Sequence, residues 1–381
     1  MGKAGQAVER VFAPAYLWEF RCDGAACESR CCRGWRIPVD AAARARLASL
    51  PPEDGGAIFA KLVEKEAGWE TSHDENGNCA FLDADGLCCL QRNHGEAYLP
   101  DICDSYPRVS YRFSGFVERS LAPTCPVAAR LALLPASPMR MEERDVPARR
   151  ASSETRPPME ALRCGDRLRA LQLRMMALLQ DREKPLRLRF LHLGRFLSAL
   201  EAQSGNRIPE DAALARCAES AAPDAEHRPR VPAYTRLRYL AELLAELYEA
   251  RENYTPDRLD ALAASLAARE AMMEKAIHAG HGHILENLVC NELFLHLYPF
   301  SCAGGFAANF KLFALRFRLA EFSLLLGSAG RNAPLDAGGV LWMLGSVMEK
   351  LDHNRDADAI LKQRILGDFQ GMDSDGFLSF L

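Results

Sequence analysis

Nine of the thirteen cysteines in this 381-residue chain lie between positions 22 and 125, and their spacing constrains how the N-terminal third can fold. Four of them form the group C-DGAA-C-ESR-CC, and the others follow in CAFLDADGLCC, PDICDSYPR and APTCP. Thiolates at short spacing are the ligands that zinc and iron–sulfur clusters require. The pattern therefore marks eight candidate metal ligands, with Cys89 beside them: Cys22, Cys27, Cys31, Cys32, Cys79, Cys88, Cys103 and Cys125.

Three interpretations of this cysteine group compete. A disulfide framework needs an oxidising compartment, whereas the first twenty residues contain no continuous apolar segment and no signal-cleavage pattern, and the cysteine total is odd. Two all-cysteine zinc sites would use all eight thiolates, and one iron–sulfur cluster would use three or four of them. The spacing alone does not separate zinc from iron–sulfur, because both accept four thiolates.

The adjacent cysteines Cys31 and Cys32 bear on how many sites exist. Neighbouring side chains in extended backbone point to opposite sides, so these two thiolates more easily serve different metal atoms than one. Either two sites share this turn, or one thiol binds metal while the other packs beside it. The spacing departs from the C-x3-C-x2-C of typical radical enzymes, because position 34 is Gly.

Composition narrows the cellular context and the partners. About half of the residues are apolar, and the formal net charge of −4 gives no nucleic-acid signature. No apolar run is long enough to span a bilayer, so we expect no transmembrane segment and a cytoplasmic protein with reduced thiols. Residues 140–195 hold thirteen Arg and one Lys against eight acidic residues. This excess could meet an anionic membrane peripherally, although a solvated helical face is the simpler interpretation.

The pattern of apolar residues predicts a mainly α protein with two domains. Residues 1–135 form the cysteine-rich metal-binding domain, in which turn signals separate short amphipathic helices at 39–50 and 57–70. Residues 136–158, rich in Pro, Ser and charge, are predicted to be a linker. Residues 159–381 carry apolar positions at helical spacing and form an all-α bundle. Its predicted helices cover 159–181, 186–203, 235–251, 256–278, 283–300, 306–327 and 337–353.

Two other groups of residues could carry chemistry in the helical region. His278, His281 and His283 are close enough in sequence to bind a metal, but they also suit one helix end followed by a new helix start. The glycine-rich pieces lie between helical patterns, and none follows a strand as a Rossmann nucleotide site demands. An adenosyl cofactor would therefore be bound without that fingerprint.

The ordered motifs resemble the flagellin lysine-N-methylase family, which belongs to a wider group with a zinc- or iron-chelating CxxCxxCC-type domain. The resemblance runs over most of the chain, and its N-terminal motifs are the specific ones. The matching segments are PAYLWEFRC (14–22), CESRCCRGWRIPVD (27–40), CAFLDADGLCC (79–89), GEAYLPDICDSYPR (95–108), ERSLAPTCPVAARLALL (118–134) and ENLVCNELFLHLYPF (286–300).

The resemblance implies S-adenosylmethionine-dependent methylation of lysine side chains on flagellin, with a cysteine-bound iron–sulfur cluster, 4Fe-4S, needed for activity. It implies the eight cysteines named above as metal ligands and leaves open whether Cys88 or Cys89 binds. Arg108, in the matching YPR motif, is a candidate for cofactor binding. The alternative function is a non-enzymatic module that binds zinc or iron.

The acceptor lysine must be neutral to attack a methyl group, so a base or a desolvated site is needed. Asp101, Asp104, Tyr106 and Glu118 lie in the right segment to serve, although ion pairs or helix caps would also explain them. Because residues 1–135 have many turns and few long apolar faces, we expect bound metal to supply part of their stability.

Overall fold

The computed structural model describes residues 7–24, 27, 30–33, 37–66, 68–149, 154–223, 231–249, 254–329, 335–354 and 356–380. The chain divides into two compact units. The N-terminal unit comprises residues 1–131 and 141–156, and the helical unit comprises residues 132–140 and 157–381.

The N-terminal unit contains two small sheets and short helices. Its strands are β1 (Val8–Pro14), β2 (Pro38–Val39), β3 (Leu62–Lys65), β4 (Gly68–Thr71), β5 (Arg108–Arg112), β6 (Val117–Leu121) and β7 (Met141–Pro147). Its helices are α1 (Ala41–Ala48), α2 (Pro52–Phe59), α3 (Cys89–His94), α4 (Asp101–Ser105) and α5 (Pro126–Leu133), which runs past the boundary of the unit.

The larger sheet has the strand order β5-β6-β1-β7, with β1 parallel to β6 and antiparallel to β7. A buried carboxylate ties this sheet together. Glu9 accepts hydrogen bonds from Arg119 at 2.7 Å and from Arg112 at 2.6 Å, and Arg119 also donates to the Ser110 hydroxyl. Burial opposes ionisation of Glu9, but these two arginines outweigh it and lower the pKa of its carboxyl.

The smaller sheet, in the order β2-β4-β3, covers an apolar core. Asp40 caps α1 by accepting a hydrogen bond from the Ala43 amide at 2.7 Å. The core combines residues from both sheet and helices: Ile37, Val39, Ala43, Leu47, Ile58, Leu62, Phe81, Leu90 and Leu99, together with Cys79. This unit therefore buries more apolar surface than its turn-rich sequence suggests.

Two segments differ from the sequence prediction. The predicted linker 136–158 contains β7, which pairs with β1 along seven positions, and its residues 150–153 lie outside the described part. Its sequence MEERDVP has no apolar alternation because β7 is a charged edge strand, which periodicity does not detect. The predicted helix at 57–70 is instead the end of α2 followed by the β3–β4 hairpin, where Gly68 has φ +125°.

The helical unit confirms the mainly α prediction. Its helices are α6 (Met159–Cys164), α7 (Asp166–Leu179), α8 (Leu186–Ser204), α9 (Asp211–Ser220), α10 (Ala233–Leu247), α11 (Pro256–Ala267), α12 (Glu270–Leu295), α13 (Phe306–Ala329), α14 (Ala337–His353), α15 (Ala357–Gly367) and α16 (Ser374–Phe380). The sequence missed α9, α15 and α16. Within α12, the backbone kinks at His281, where the histidine–glycine pattern had suggested a helix end.

Helix α13 is the centre of the helical unit. It is buried along nearly its whole length and contacts α8, α10, α11, α12, α14, α15 and α16. A helix that is apolar on all sides must be enclosed by others to remain in water. Asn287 on α12 donates to the carbonyls of Leu133 and Pro135, which fixes residues 132–140 in this unit.

Several buried charges in the described part of the helical unit are paired with charges of opposite sign. Glu286 bonds to Arg182 at 2.8 Å and to Arg189 at 2.7 Å. Burial opposes ionisation of Glu321, but the charge of Arg318 and the hydrogen bond from His278 outweigh it and lower the pKa of Glu321 to about 2. Within the described ranges, no helix is both long and apolar enough to cross a membrane.

Close packing around α13 generates a stability prediction. A Cβ atom at Gly194 on α8 would lie 2.5 Å from the Phe310 ring, so Gly194→Ala should lower the free energy of unfolding by about 2 kcal/mol. The matched control is Gly367→Ala at the end of α15, where no heavy atom lies within 4 Å. Urea unfolding followed by circular dichroism measures both. Equal midpoints for the two variants would contradict the prediction.

Candidate metal centre

All eight predicted cysteine ligands line one cavity of about 290 Å³ in the N-terminal unit. They come from segments that are far apart in sequence, and the fold brings them together. No disulfide joins any of the thirteen cysteines, all of which belong to the described part of the chain. Residues 28–29 and 34–36 of the matching cysteine motif lie outside it.

Short backbone contacts position the thiols of Cys32, Cys79 and Cys88. The Cys79 amide donates to the Cys32 carbonyl at 2.8 Å. Leu82 forms a β-bridge with Cys88, which immediately precedes α3. Cys103 lies on the single-turn helix α4. These contacts are the local reason that cysteines more than forty positions apart line the same wall.

The structure distinguishes Cys88 from Cys89, which the sequence left open. Cys88 lines the cavity, whereas Cys89 is absent from its lining and accepts a hydrogen bond from the Lys61 ammonium at 3.4 Å. Consecutive residues at a helix start cannot direct their side chains to the same side. The geometry therefore favours Cys88 as the ligand.

Burial opposes the ionisation of these thiols, and the charges of neighbouring thiols add to it. Burial, together with the charges of Cys88 and Cys79, raises the pKa of Cys103 well above its ordinary value. Burial raises the pKa of Cys125 to about 11, with a further contribution from Cys27. A bound metal cation would offset this effect on the thiol pKa values, because it stabilises the deprotonated thiolates that bind it.

The thiols of Cys31 and Cys32 share one hydrogen bond, in which either sulfur can be the donor, and the two sulfurs are 3.7 Å apart. This contact lowers the pKa of Cys31, against the opposing effect of burial, and together with burial it raises the pKa of Cys32. The contact therefore makes one thiol of the pair easier to ionise than its neighbour.

Two arginines line the cavity beside the cysteines. The Arg108 guanidinium lies over the Phe20 ring, 4.8 Å from its centroid, and forms no hydrogen bond to the described residues. Burial and the positive charges of Arg149 and Arg119 lower the pKa of Arg108 to about 10, so it stays charged at neutral pH. The buried Nε of Arg149 also has no hydrogen-bond partner among the described atoms.

The structure separates the four candidate bases. Asp104 and Tyr106 line the cavity. Asp104 pairs with Arg149 at 3.0 Å, and the Tyr106 hydroxyl bonds to Thr124 at 3.1 Å. Asp101 and Glu118 are not part of the lining: Asp101 pairs with Arg46 at 3.4 Å, and Glu118 is buried within β6.

Sequence reasoning missed Arg149 and Glu96 in the lining. Arg149 follows β7 and reaches the cavity only because that strand pairs with β1, so its position depends on a strand that the sequence did not reveal. Glu96 lies within the matching motif GEAYLPDICDSYPR, which is the signal that could have identified it.

The donor set fits a metal centre. A zinc ion with Zn–S bonds of about 2.3 Å draws its four sulfurs to about 3.8 Å from one another. In the described protein no three cysteine sulfurs lie mutually within 4.8 Å. Four of these thiols would therefore have to move closer together to bind one zinc ion.

The helical unit contains a second group of side chains that could bind a metal, but an arginine lies among them. Glu292, His296 and Asp352 place oxygen and nitrogen atoms within 4.8 Å of one another. Arg316 lies among them, 3.2 Å from Glu292 and 2.9 Å from the His296 ring. The positive charge of this guanidinium would repel a metal cation, so the group is an ion-pair network.

The three histidines proposed from sequence have separate roles. His278 bonds to Glu321 at 3.0 Å, and His281 bonds to the Leu335 carbonyl at 2.7 Å. Among the described residues they do not form a common group of ligand atoms with His283. The metal interpretation of this motif is therefore not supported.

Comparison with known proteins gives a consistent family. A family model described as the FliB lysine N-methylase C-terminal domain matches residues 172–381. The flagellar biosynthetic protein FliU of Salmonella muenchen is 32% identical over 124 residues, which cover 30% of this chain and 72% of that protein. No solved structure matches the chain.

Two proteins named lysine-N-methylase, from Salmonella typhimurium (strain LT2) and Salmonella choleraesuis (strain SC-B67), are also similar. Each is 30% identical over 142 residues, which cover 36% of this chain. The match spans only 35% of the length of each of these relatives.

The different positions of Cys88 and Cys89 generate a prediction about metal content. Cys88→Ala removes a cavity thiol and should lower the metal bound per chain after anaerobic purification. Cys89→Ala removes a thiol outside the lining and should leave metal content unchanged. Elemental analysis for iron and zinc, with acid-labile sulfide, measures both variants. Loss of metal in Cys89→Ala alone would reverse the assignment.

Proposed function

Because the chain belongs to the FliB lysine N-methylase family, a family of protein-lysine N-methyltransferases, we propose that it methylates lysine side chains of flagellin. The proposed methyl donor is S-adenosylmethionine, and the proposed metal group is an iron–sulfur cluster of the 4Fe-4S type held by the cavity cysteines. We place the reaction in the cytoplasm, before flagellin is exported.

One observation carries this proposal: eight thiols and two incompletely bonded arginines face the same cavity. Thiolates suit iron–sulfur ligation, and guanidinium groups suit a carboxylate. S-adenosylmethionine carries a carboxylate on its methionine portion. We assign Arg108 to that carboxylate, because its guanidinium lines the cavity without a hydrogen bond to any described residue.

The cavity also contains groups that can handle the proton of the acceptor lysine. A lysine ammonium, with a pKa of about 10.4 in water, must lose a proton before its nitrogen can attack. Asp104 and Tyr106 line the cavity and can hydrogen-bond to an incoming ammonium, whereas Asp101 and Glu118 lie elsewhere. Asp104 offers carboxylate oxygens that accept hydrogen bonds, whereas the Tyr106 hydroxyl is already bonded to Thr124.

The metal group, when bound, would supply a centre able to exchange electrons beside the methyl donor. The protein's own part is to hold the thiolates, to orient the substrate carboxylate and to keep water away. Phe20, Phe81 and Leu99 provide apolar wall to the cavity. In such surroundings an ion pair with Arg108 is stronger than in water.

Peripheral membrane association stays a prediction. Several arginines of the basic stretch 140–195 pair with carboxylates of the folded protein. Arg149 bonds Asp104, and Arg195 bonds Asp375 at 2.6 Å. These pairs favour the simpler interpretation of the stretch as part of the folded surface.

The assignment of Arg108 generates an activity prediction. The protein, incubated anaerobically with reductant, S-adenosylmethionine and flagellin, should transfer methyl groups to lysines. Arg108→Gln should raise KM for S-adenosylmethionine about tenfold, since a charged hydrogen bond contributes about 1.5 kcal/mol or more. Its metal content should stay unchanged. Mass spectrometry of flagellin measures the transfer.

The control is Arg10→Gln, a largely exposed arginine on β1, which should leave KM unchanged. Loss of metal in Arg108→Gln with KM unaltered would assign Arg108 to the metal centre instead. Activity that survives air in a zinc-loaded protein would discard the iron–sulfur requirement. Tightly bound metal with no methylation under any condition would favour the non-enzymatic metal-binding module.

A further inference from the structure

We propose that the eight cavity cysteines form two distinct four-thiolate metal centres that meet at the Cys31–Cys32 step. The inference rests on the metal-binding part of the proposed function and does not depend on methyl transfer. The first set is Cys32, Cys79, Cys88 and Cys103, and the second set is Cys22, Cys27, Cys31 and Cys125.

The number of cavity thiols is sufficient for two metal centres. A tetrahedral zinc ion and a 4Fe-4S cluster each take four cysteine ligands. One centre would therefore leave four cavity thiols without a metal. Eight thiols around one cavity supply complete ligand sets for two centres of either kind.

The first set is united by the apolar core beneath the smaller sheet. Cys79 belongs to that core, and Cys32, Cys88 and Cys103 pack against it. The backbone bond between Cys79 and Cys32 fixes two of these ligands relative to each other. The four thiols therefore approach the cavity from one rigid wall.

The second set of cysteines is positioned by a different part of the N-terminal unit. The Cys27 amide donates to the Gly24 carbonyl at 3.0 Å, and the Gly24 amide donates to the Cys22 sulfur at 3.4 Å, so Gly24 is bonded to both cysteines. An ion pair between Asp23, next to Cys22, and Arg130 on α5 connects this segment to the helix that Cys125 immediately precedes. Neither Cys22, Cys27 nor Cys125 packs in the core of the first set, as far as the structure describes it.

Cys31 is assigned to the second set for two reasons. The first set already has four members, and one of them is the adjacent residue Cys32. The 3.7 Å contact between the two sulfurs places the centres side by side, so that each thiol of the pair serves its own centre.

Residue-resolved thiol protection tests the division. The wild type, Cys103→Ser and Cys125→Ser are purified anaerobically, analysed for iron, zinc and sulfide, and alkylated with iodoacetamide before peptide mass spectrometry. Cys103→Ser should keep half of the wild-type metal and expose Cys32, Cys79 and Cys88 to alkylation, with the second set protected. Cys125→Ser should give the converse pattern.

The control is Cys164→Ser, a half-buried cysteine of the helical unit, which should retain all metal and the full protection pattern. Complete metal loss, or alkylation of all seven remaining cavity thiols, in either variant that keeps its circular dichroism spectrum would overturn the proposal in favour of one shared centre. Alkylation of Cys22, Cys27 and Cys125 in the metal-loaded wild type would overturn the second centre.

A measurement on the unmutated protein covers the case in which a variant does not fold. Cobalt(II) titration of the metal-free wild type should reach its sulfur-to-metal absorption plateau at two equivalents. A plateau at one equivalent would overturn the proposal. Neither measurement involves flagellin, so a failed methylation assay and a failed division into two centres are distinguishable.

Discussion

The burial of eight thiols around one cavity is the constraint on which the N-terminal unit depends. Burial opposes their ionisation, as the raised pKa of Cys103 shows, and the charges of neighbouring thiols add to the effect. Protons or metal cations must offset that charge. The apolar core that contains Cys79 serves as the scaffold for the sulfurs of Cys32, Cys88 and Cys103, which pack against it.

In the helical unit, arginines neutralise buried carboxylates. Glu286 and Glu321 are each placed against arginines, and Arg316 fills the group formed by Glu292, His296 and Asp352. Removing one partner of such a pair leaves an uncompensated charge, which is costly. Both units contain such pairs, since Glu9 is buried against Arg119 in the N-terminal unit, but the cavity thiols have no comparable set of arginine partners among the described residues.

The sequence predicts those features that local patterns determine. The long helices α8, α13 and α14 follow from apolar spacing, and the cysteine motifs identify the eight thiols that line the cavity. The edge strand β7 could not be predicted, because its charged residues take strand geometry from pairing with β1. Without β7, the position of Arg149 in the cavity was also unpredictable, and only the fold separates Cys88 from Cys89.

The charge of the cavity bears directly on the proposed chemistry. A metal centre with four thiolate ligands is anionic, so it attracts both the sulfonium of S-adenosylmethionine and a lysine ammonium. The same negative potential raises the pKa of that ammonium and opposes the deprotonation that attack requires. Positive charge from Arg108 and Arg149 lowers the pKa of the ammonium. Asp104 offers a local acceptor for the proton. The arginines can therefore bind the donor's carboxylate and also limit how strongly the cavity holds the acceptor lysine in its unreactive, protonated form.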